Sequence, residues 1–90
     1  MDLILKDGTK FSDVTLSENK MGSRWVLTAL LKANCSSTDI DTIFSEENTS
    51  YIKATTEEYE KKFEGYKLNT AQINYEVQLP QIRIQMIQKE

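Results

Sequence analysis

Ninety residues, 39% of them hydrophobic and 28% charged, suit one folded domain spanning 1–90 and are too apolar for a chain that stays disordered. The formal net charge is −3, from 11 Lys+Arg against 14 Asp+Glu, and the two signs interleave along the chain. That interleaving argues against a nucleic-acid surface, which needs Lys and Arg gathered on one face.

A domain this small buries only about 60–65% of the surface its unfolded chain exposes, so a partner subunit would add to a slim margin of stability. The single cysteine, Cys35, excludes an intramolecular disulfide. The start Met1-Asp2-Leu3-Ile4-Leu5-Lys6 has neither the basic region nor the apolar length of a signal peptide or a membrane span. A cytoplasmic protein is the expectation, with no membrane partner.

In chain order, Leu3 to Leu5 reads as a strand closed by Lys6-Asp7-Gly8-Thr9, because Asp-Gly is a hairpin signal. Phe11, Val14 and Leu16 fall only partly on one parity, which predicts an irregularity near Ser12-Asp13. The polar run Ser17 to Ser23 reads as a turn. The stretch Arg24 to Leu31 suits either a strand or a buried helix, and Trp-Val-Leu-Thr favours the strand.

Ser36-Ser37-Thr38 offers helix caps, Asp39 and Asp41 place negative charge in the first turn, and Ile40, Ile43 and Phe44 lie at helical spacing. One short amphipathic helix over 38–46 is therefore predicted, stopped by a left-handed Asn48. Tyr51 to Thr55 reads as a strand turning at Thr56-Glu57-Glu58 into a second one through Phe63, with a helix over Thr56 to Phe63 as the rival. Gly65 is expected to mark a bulge. Beyond it Ala71, Ile73, Tyr75, Val77 and Leu79 alternate with Gln72, Asn74, Glu76 and Gln78, the clearest strand pattern in the chain. After Pro80, Ile82, Ile84 and Met86 alternate again. The sum is six or seven mainly antiparallel strands and one helix, an α+β chain whose sheet is barrel-like or open.

Cys35 stands just before the predicted helix, where a lowered thiol pKa is conceivable, but a buried or incidental cysteine is the commoner case. Asp39, Asp41, Glu46 and Glu47 form an acidic cluster without the glycine turn of a calcium loop, and read as helix charge and solvated surface. The scattered glycines Gly8, Gly22 and Gly65 make no phosphate loop, and a bound small molecule is not expected. Trp25, Tyr51, Tyr59, Tyr66 and Tyr75 are read as packing residues with their hydroxyls at the rim. The polar face Gln72, Asn74, Glu76, Gln78 is the candidate interaction strand, through which another chain is added to a sheet edge.

The runs Lys6-Asp7-Gly8-Thr9, Ile40-Asp41-Thr42-Ile43-Phe44-Ser45, Glu47-Asn48-Thr49-Ser50-Tyr51-Ile52, Phe63-Glu64-Gly65-Tyr66-Lys67-Leu68 and Ile82-Arg83-Ile84-Gln85-Met86 resemble small phage or prophage proteins of Gram-positive bacteria. The resemblance implies a virion-associated or tail-region structural protein with no catalytic residues to carry over. Members of that group often continue past the last strand, whereas this sequence stops at Glu90. The expected function is non-enzymatic assembly through protein–protein contacts or self-association. The alternative is a small acidic adaptor or inhibitor of a host protein, using Asp39, Asp41, Glu46, Glu47, Glu57 and Glu58.

Overall fold

The computed structural model describes residues 1–74 and 80–89. Its strands are β1 (Asp2–Ile4), β2 (Lys10–Phe11), β3 (Thr15–Met21), β4 (Arg24–Lys32), β5 (Tyr51–Thr55), β6 (Glu60–Glu64), β7 (Tyr66–Asn74) and β8 (Gln81–Gln88). Two short helices, α1 (Ser37–Ile43) and α2 (Glu46–Thr49), join β4 to β5.

The chain runs as four hairpins that alternate between two open four-stranded sheets. The first sheet has the order β2-β1-β5-β6 and the second β3-β4-β8-β7, and every described pairing is antiparallel. The α+β reading with an open sheet is thus what the chain adopts.

Inward positions follow the two-residue period of a strand. Leu3, Ile52, Ala54 and Phe63 come from the first sheet, and Leu27, Ala29, Leu31, Ile82, Ile84 and Met86 from the second. Val14, Ile40 and Phe44 close the same core from the connections. The strands that bury the most side chains, β4 and β8, lie side by side at the centre of their sheet.

Two of the three changes of sheet occur where the backbone turns left-handed, and the third runs through α1 and α2. Asp13, at φ 57°, separates β2 from β3, the irregularity expected at Ser12-Asp13. Gly65, at φ 76°, is the one residue between β6 and β7. It is not a bulge within one strand: a residue without Cβ lets the chain leave one sheet and enter the other in a single step. The bulge lies further on, between Leu68 and Thr70 opposite β8.

The polar run Ser17–Ser23 is not a turn. It forms most of β3, which pairs with β4 as far as Met21–Arg24 and leaves only Gly22-Ser23 as loop. Gly22, at φ 65°, takes the first loop position, which favours glycine in this hairpin class. Most of this ribbon is exposed, so its sequence carries no apolar alternation to betray it. The described residues form eight strands against the six or seven expected, because the stretch through Phe11, Val14 and Leu16, expected as one irregular strand, is divided between β2 and β3.

The single helix expected over 38–46 is two helices. Ser36 caps α1 in a reciprocal box, its Oγ accepting from Asp39 N–H while Asp39 Oδ2 accepts from Ser36 N–H. Ser45 caps α2 by accepting from Asn48 N–H. Asn48 is helical rather than left-handed, and its side-chain amide donates to Ile43 O and Asp7 Oδ2, fastening the helices to the first hairpin loop.

Replacing Ser36 with alanine is expected to cost about 1 kcal/mol in urea denaturation. The Ser36 backbone N–H, followed by its hydroxyl, holds the Asp39 carboxyl below its usual 3.8. A carboxyl lowered in the folded state stabilises above the unfolded value and loses that effect as pH falls through the folded one. The advantage of Asp39 over Asn in an Asp39→Asn comparison should therefore shrink as pH drops below 3.8.

Candidate functional site

Four strands stand at sheet edges, and three are poorly suited to accept another chain. β2 is two residues long, β6 is mostly charged through Glu60, Lys61, Lys62 and Glu64, and β3 carries Glu18 and Lys20. Short, charged edges discourage pairing. Glu18 also bonds to Lys61 on β6, so an ion pair crosses from one sheet to the other on that side and holds the Lys61 pKa up.

β7 differs. From Leu68 to Asn74 it has no charged residue, and Asn69, Thr70, Ala71, Gln72 and Asn74 are all exposed. Thr70 Oγ1 and Asn69 Nδ2 donate to Gln85 Oε1 at 3.2 and 3.4 Å, which secures the bulge against β8. Gln72 lies opposite Arg83 and Asn74 opposite Gln81, with both side chains on the outer face of the sheet. Of the predicted interaction strand, Gln72 and Asn74 therefore share one outward edge, whereas Glu76 and Gln78 lie outside the described residues. β8 is paired on both sides, by β4 and β7.

Two open depressions flank the Gln72–Arg83 pair. One, of about 390 Å³, is lined by Leu30, Gln72, Ile73, Asn74, Gln81 and Arg83. The other, of about 200 Å³, is lined by Thr70, Gln72, Arg83 and Gln85. Beside the apolar Leu30 and Ile73, the polar groups in their walls are amides, a hydroxyl and one guanidinium, which orient a carbonyl or carboxylate and do not activate a nucleophile.

The signs that interleave along the sequence separate on the fold. Arg24, Lys32, Lys67 and Arg83 all take outward positions on the second sheet, where no described Asp or Glu stands. The outer face of the first sheet is balanced, with Lys10–Asp2 at 3.3 Å and Lys53–Glu60 at 3.4 Å. The expected acidic patch is split. Asp39, Asp41, Glu46 and Glu47 sit on the helices, while Glu57 and Glu58 occupy the hairpin loop at the far end of β5, about 17 Å away by strand rise.

The aromatic residues are not uniformly packed. Tyr66 is buried at 4% exposure edge-on to Phe63, but Tyr59 is 54% exposed. Trp25 is 40% exposed on the β3–β4 arm with Lys20 Nζ 5.8 Å from its ring centre. Tyr51 is half-buried and Tyr75 lies outside the described residues. The Cys35 thiol is pushed up by burial and by the Asp39 carboxylate, the opposite of an activated nucleophile.

Among the described residues no group of three or more His, Cys, Asp and Glu is placed to hold a metal ion, and no helix is long and apolar enough to cross a membrane. No family model matches the chain, and neither a curated protein nor a solved structure is significantly similar to it.

Proposed function

We propose that this chain is a non-enzymatic assembly protein, phage- or prophage-derived, that acts by adding a protein strand to the β7 edge. The observation that carries the reading is that, among the described residues, β7 alone of the edge strands offers a long, mostly exposed and uncharged run, Leu68 to Asn74. Backbone hydrogen bonds supply the affinity in strand addition, and outward side chains such as Gln72 and Asn74 set the register. In an antiparallel pair of two β7 strands, no residue of that run sets like charges against each other. The phage attribution rests on the resemblance of the sequence runs given above.

The test is solution mass by light scattering over a range of concentrations, for the wild type and for Thr70→Lys/Gln72→Lys. Both positions are exposed, and because Thr70→Lys gives up the hydroxyl bond to Gln85, circular dichroism checks that the fold is kept. The expected result, read at high salt where electrostatic contacts are screened, is a wild-type species of at least two chains that the lysine variant reduces to the monomer. An oligomer indifferent to the lysines would overturn the strand-addition reading, as would a monomer at every concentration that also captures no co-encoded protein.

A further inference from the structure

We infer that the outer face of the β3-β4-β8-β7 sheet is a second, electrostatic docking surface, and that its occupant is the acidic α1–α2 shoulder of another copy of this chain. The contact goes beyond strand addition at β7 and is independent of it.

The argument starts from where the charges fall. Lys32 and Arg83 stand on neighbouring strands, two positions apart in register with the Leu31–Ile82 pair between them (Lys32 opposite Gln81, Arg83 opposite Leu30), and both are exposed. Neither makes an ion pair with a described residue. Asp13 shares a shallow pocket with Lys32 without pairing to it. Lys67, at the other end of the face, already has Glu46 nearby, and Lys89 beside it holds Glu46 at 2.7 Å. The unanswered positive charge thus lies at the Lys32–Arg83 end, next to the 390 Å³ depression lined by Leu30, Gln72, Ile73, Asn74, Gln81 and Arg83.

The complementary surface is on the same chain. From Ser36 to Ser50 there is no Lys or Arg, while Asp39, Asp41, Glu46 and Glu47 all stand exposed. Asp39 serves its helix cap and Glu46 the Lys89 ion pair. Asp41 makes no ion pair with a described residue, and the Glu47 side chain is 84% exposed with Lys6 no nearer than 4.0 Å. Asp41 and Glu47 are therefore available to a neighbour's Lys32 and Arg83. An Arg–carboxylate contact is the strong, directional form of such a pairing.

Two different patches of one chain that fit each other make a heterologous contact, which propagates from copy to copy into a ring or a filament. Charged contacts at an exposed surface also steer association and respond to salt, unlike backbone strand pairing.

The experiment compares masses at low ionic strength, where the screening length is about 30 Å at about 0.01 M, and at about 1 M salt, where it is about 3 Å. It uses the wild type, Lys32→Glu/Arg83→Glu, Asp41→Lys/Glu47→Lys, and an equimolar mixture of the two variants, each checked for folding by circular dichroism. The expected result is at least about a doubling of wild-type mass at low salt over its high-salt value, absent in either variant alone and regained in the mixture. If the wild-type mass is the same at both salt levels, or either variant keeps the low-salt increase, the docking surface is overturned while a salt-insensitive β7 dimer would still stand. A low-salt wild type that stays at its high-salt mass yet retains a single-stranded oligonucleotide through Arg83 would overturn it in favour of a nucleic-acid surface.

Discussion

Phe44→Ala is expected to cost about 3–5 kcal/mol, the largest loss of any single side chain considered for this fold. Phe44 is 1% exposed, and its ring stacks on Phe11 with centroids 5.7 Å apart and planes 12° from parallel. It also ends α1, its N–H donating to Ile40 O. Truncation opens a void where α1, β2 and both sheets meet, and the stacked partner is only half-buried and loses its cover. Domains of this size are typically stable by about 5–13 kcal/mol, so the variant should lose a large share of its stability. Urea denaturation followed by tryptophan fluorescence measures it. A loss under about 1 kcal/mol would show that the helices pack more loosely on the core than the structure has them.

Thr49→Val is expected to cost about 1–3 kcal/mol, although it preserves shape and adds apolar character. Thr49 is the one buried polar side chain among the described residues, at 0% exposure. Its hydroxyl donates to Tyr66 O at 2.9 Å, with Ser45 O at 3.1 Å and Glu46 O at 3.4 Å as competing acceptors. The hydroxyl carries one proton, so the bond to Tyr66 O ties α2 to the start of β7 at the expense of the two helical ones. Valine removes that donor and leaves a buried carbonyl short of a partner. The same denaturation series measures the loss, and Thr49→Ser, which keeps the donor and drops a methyl, should cost less. Valine and serine variants of equal stability would show that packing rather than the hydrogen bond fixes α2.

Of the two central strands of the second sheet, β8 was legible because one face lies in the core, with Ile82, Ile84 and Met86 repeating every second residue, whereas β4 read as strand or buried helix and only the β-prone Trp25-Val26-Leu27-Thr28 favoured the strand it forms. The first hairpin and the β5–β6 hairpin announced themselves through Asp7-Gly8 and through the Tyr59-to-Glu64 alternation. What escaped depends on contacts rather than pattern. The arm from Ser17 to Met21 is solvated, so no periodicity marks it. α2 is four residues long, too short for an apolar period, and only the Ser45 cap defines it. Two of the three switches between the sheets turn on single backbone angles, at Asp13 and Gly65.

The same holds for the candidate site. Gln72 and Asn74 could be picked out because they alternate with Ala71 and Ile73 along one strand. Arg24, Lys32, Lys67 and Arg83 are scattered over three strands, and only the register of β4, β8 and β7 brings them onto one face. Interleaved charge in a sequence therefore does not imply interleaved charge on a surface, and the inference drawn from it about clustering did not carry over to the fold.

The hairpins that alternate between sheets also set the order in which the protein can form. Each hairpin closes from residues near in sequence, but β4 meets β8 only through long-range pairs such as Lys32 with Gln81 and Val26 with Ile87. Loop-closure entropy makes such pairings late events. Until β8 has been synthesised, Arg24–Lys32, the most apolar strand, has a bare edge and an uncovered inner face. The emerging chain thus passes through a stage in which Val26 to Leu31 can pair with a neighbouring nascent chain, and crowded translation is the condition under which this protein would be lost to aggregation.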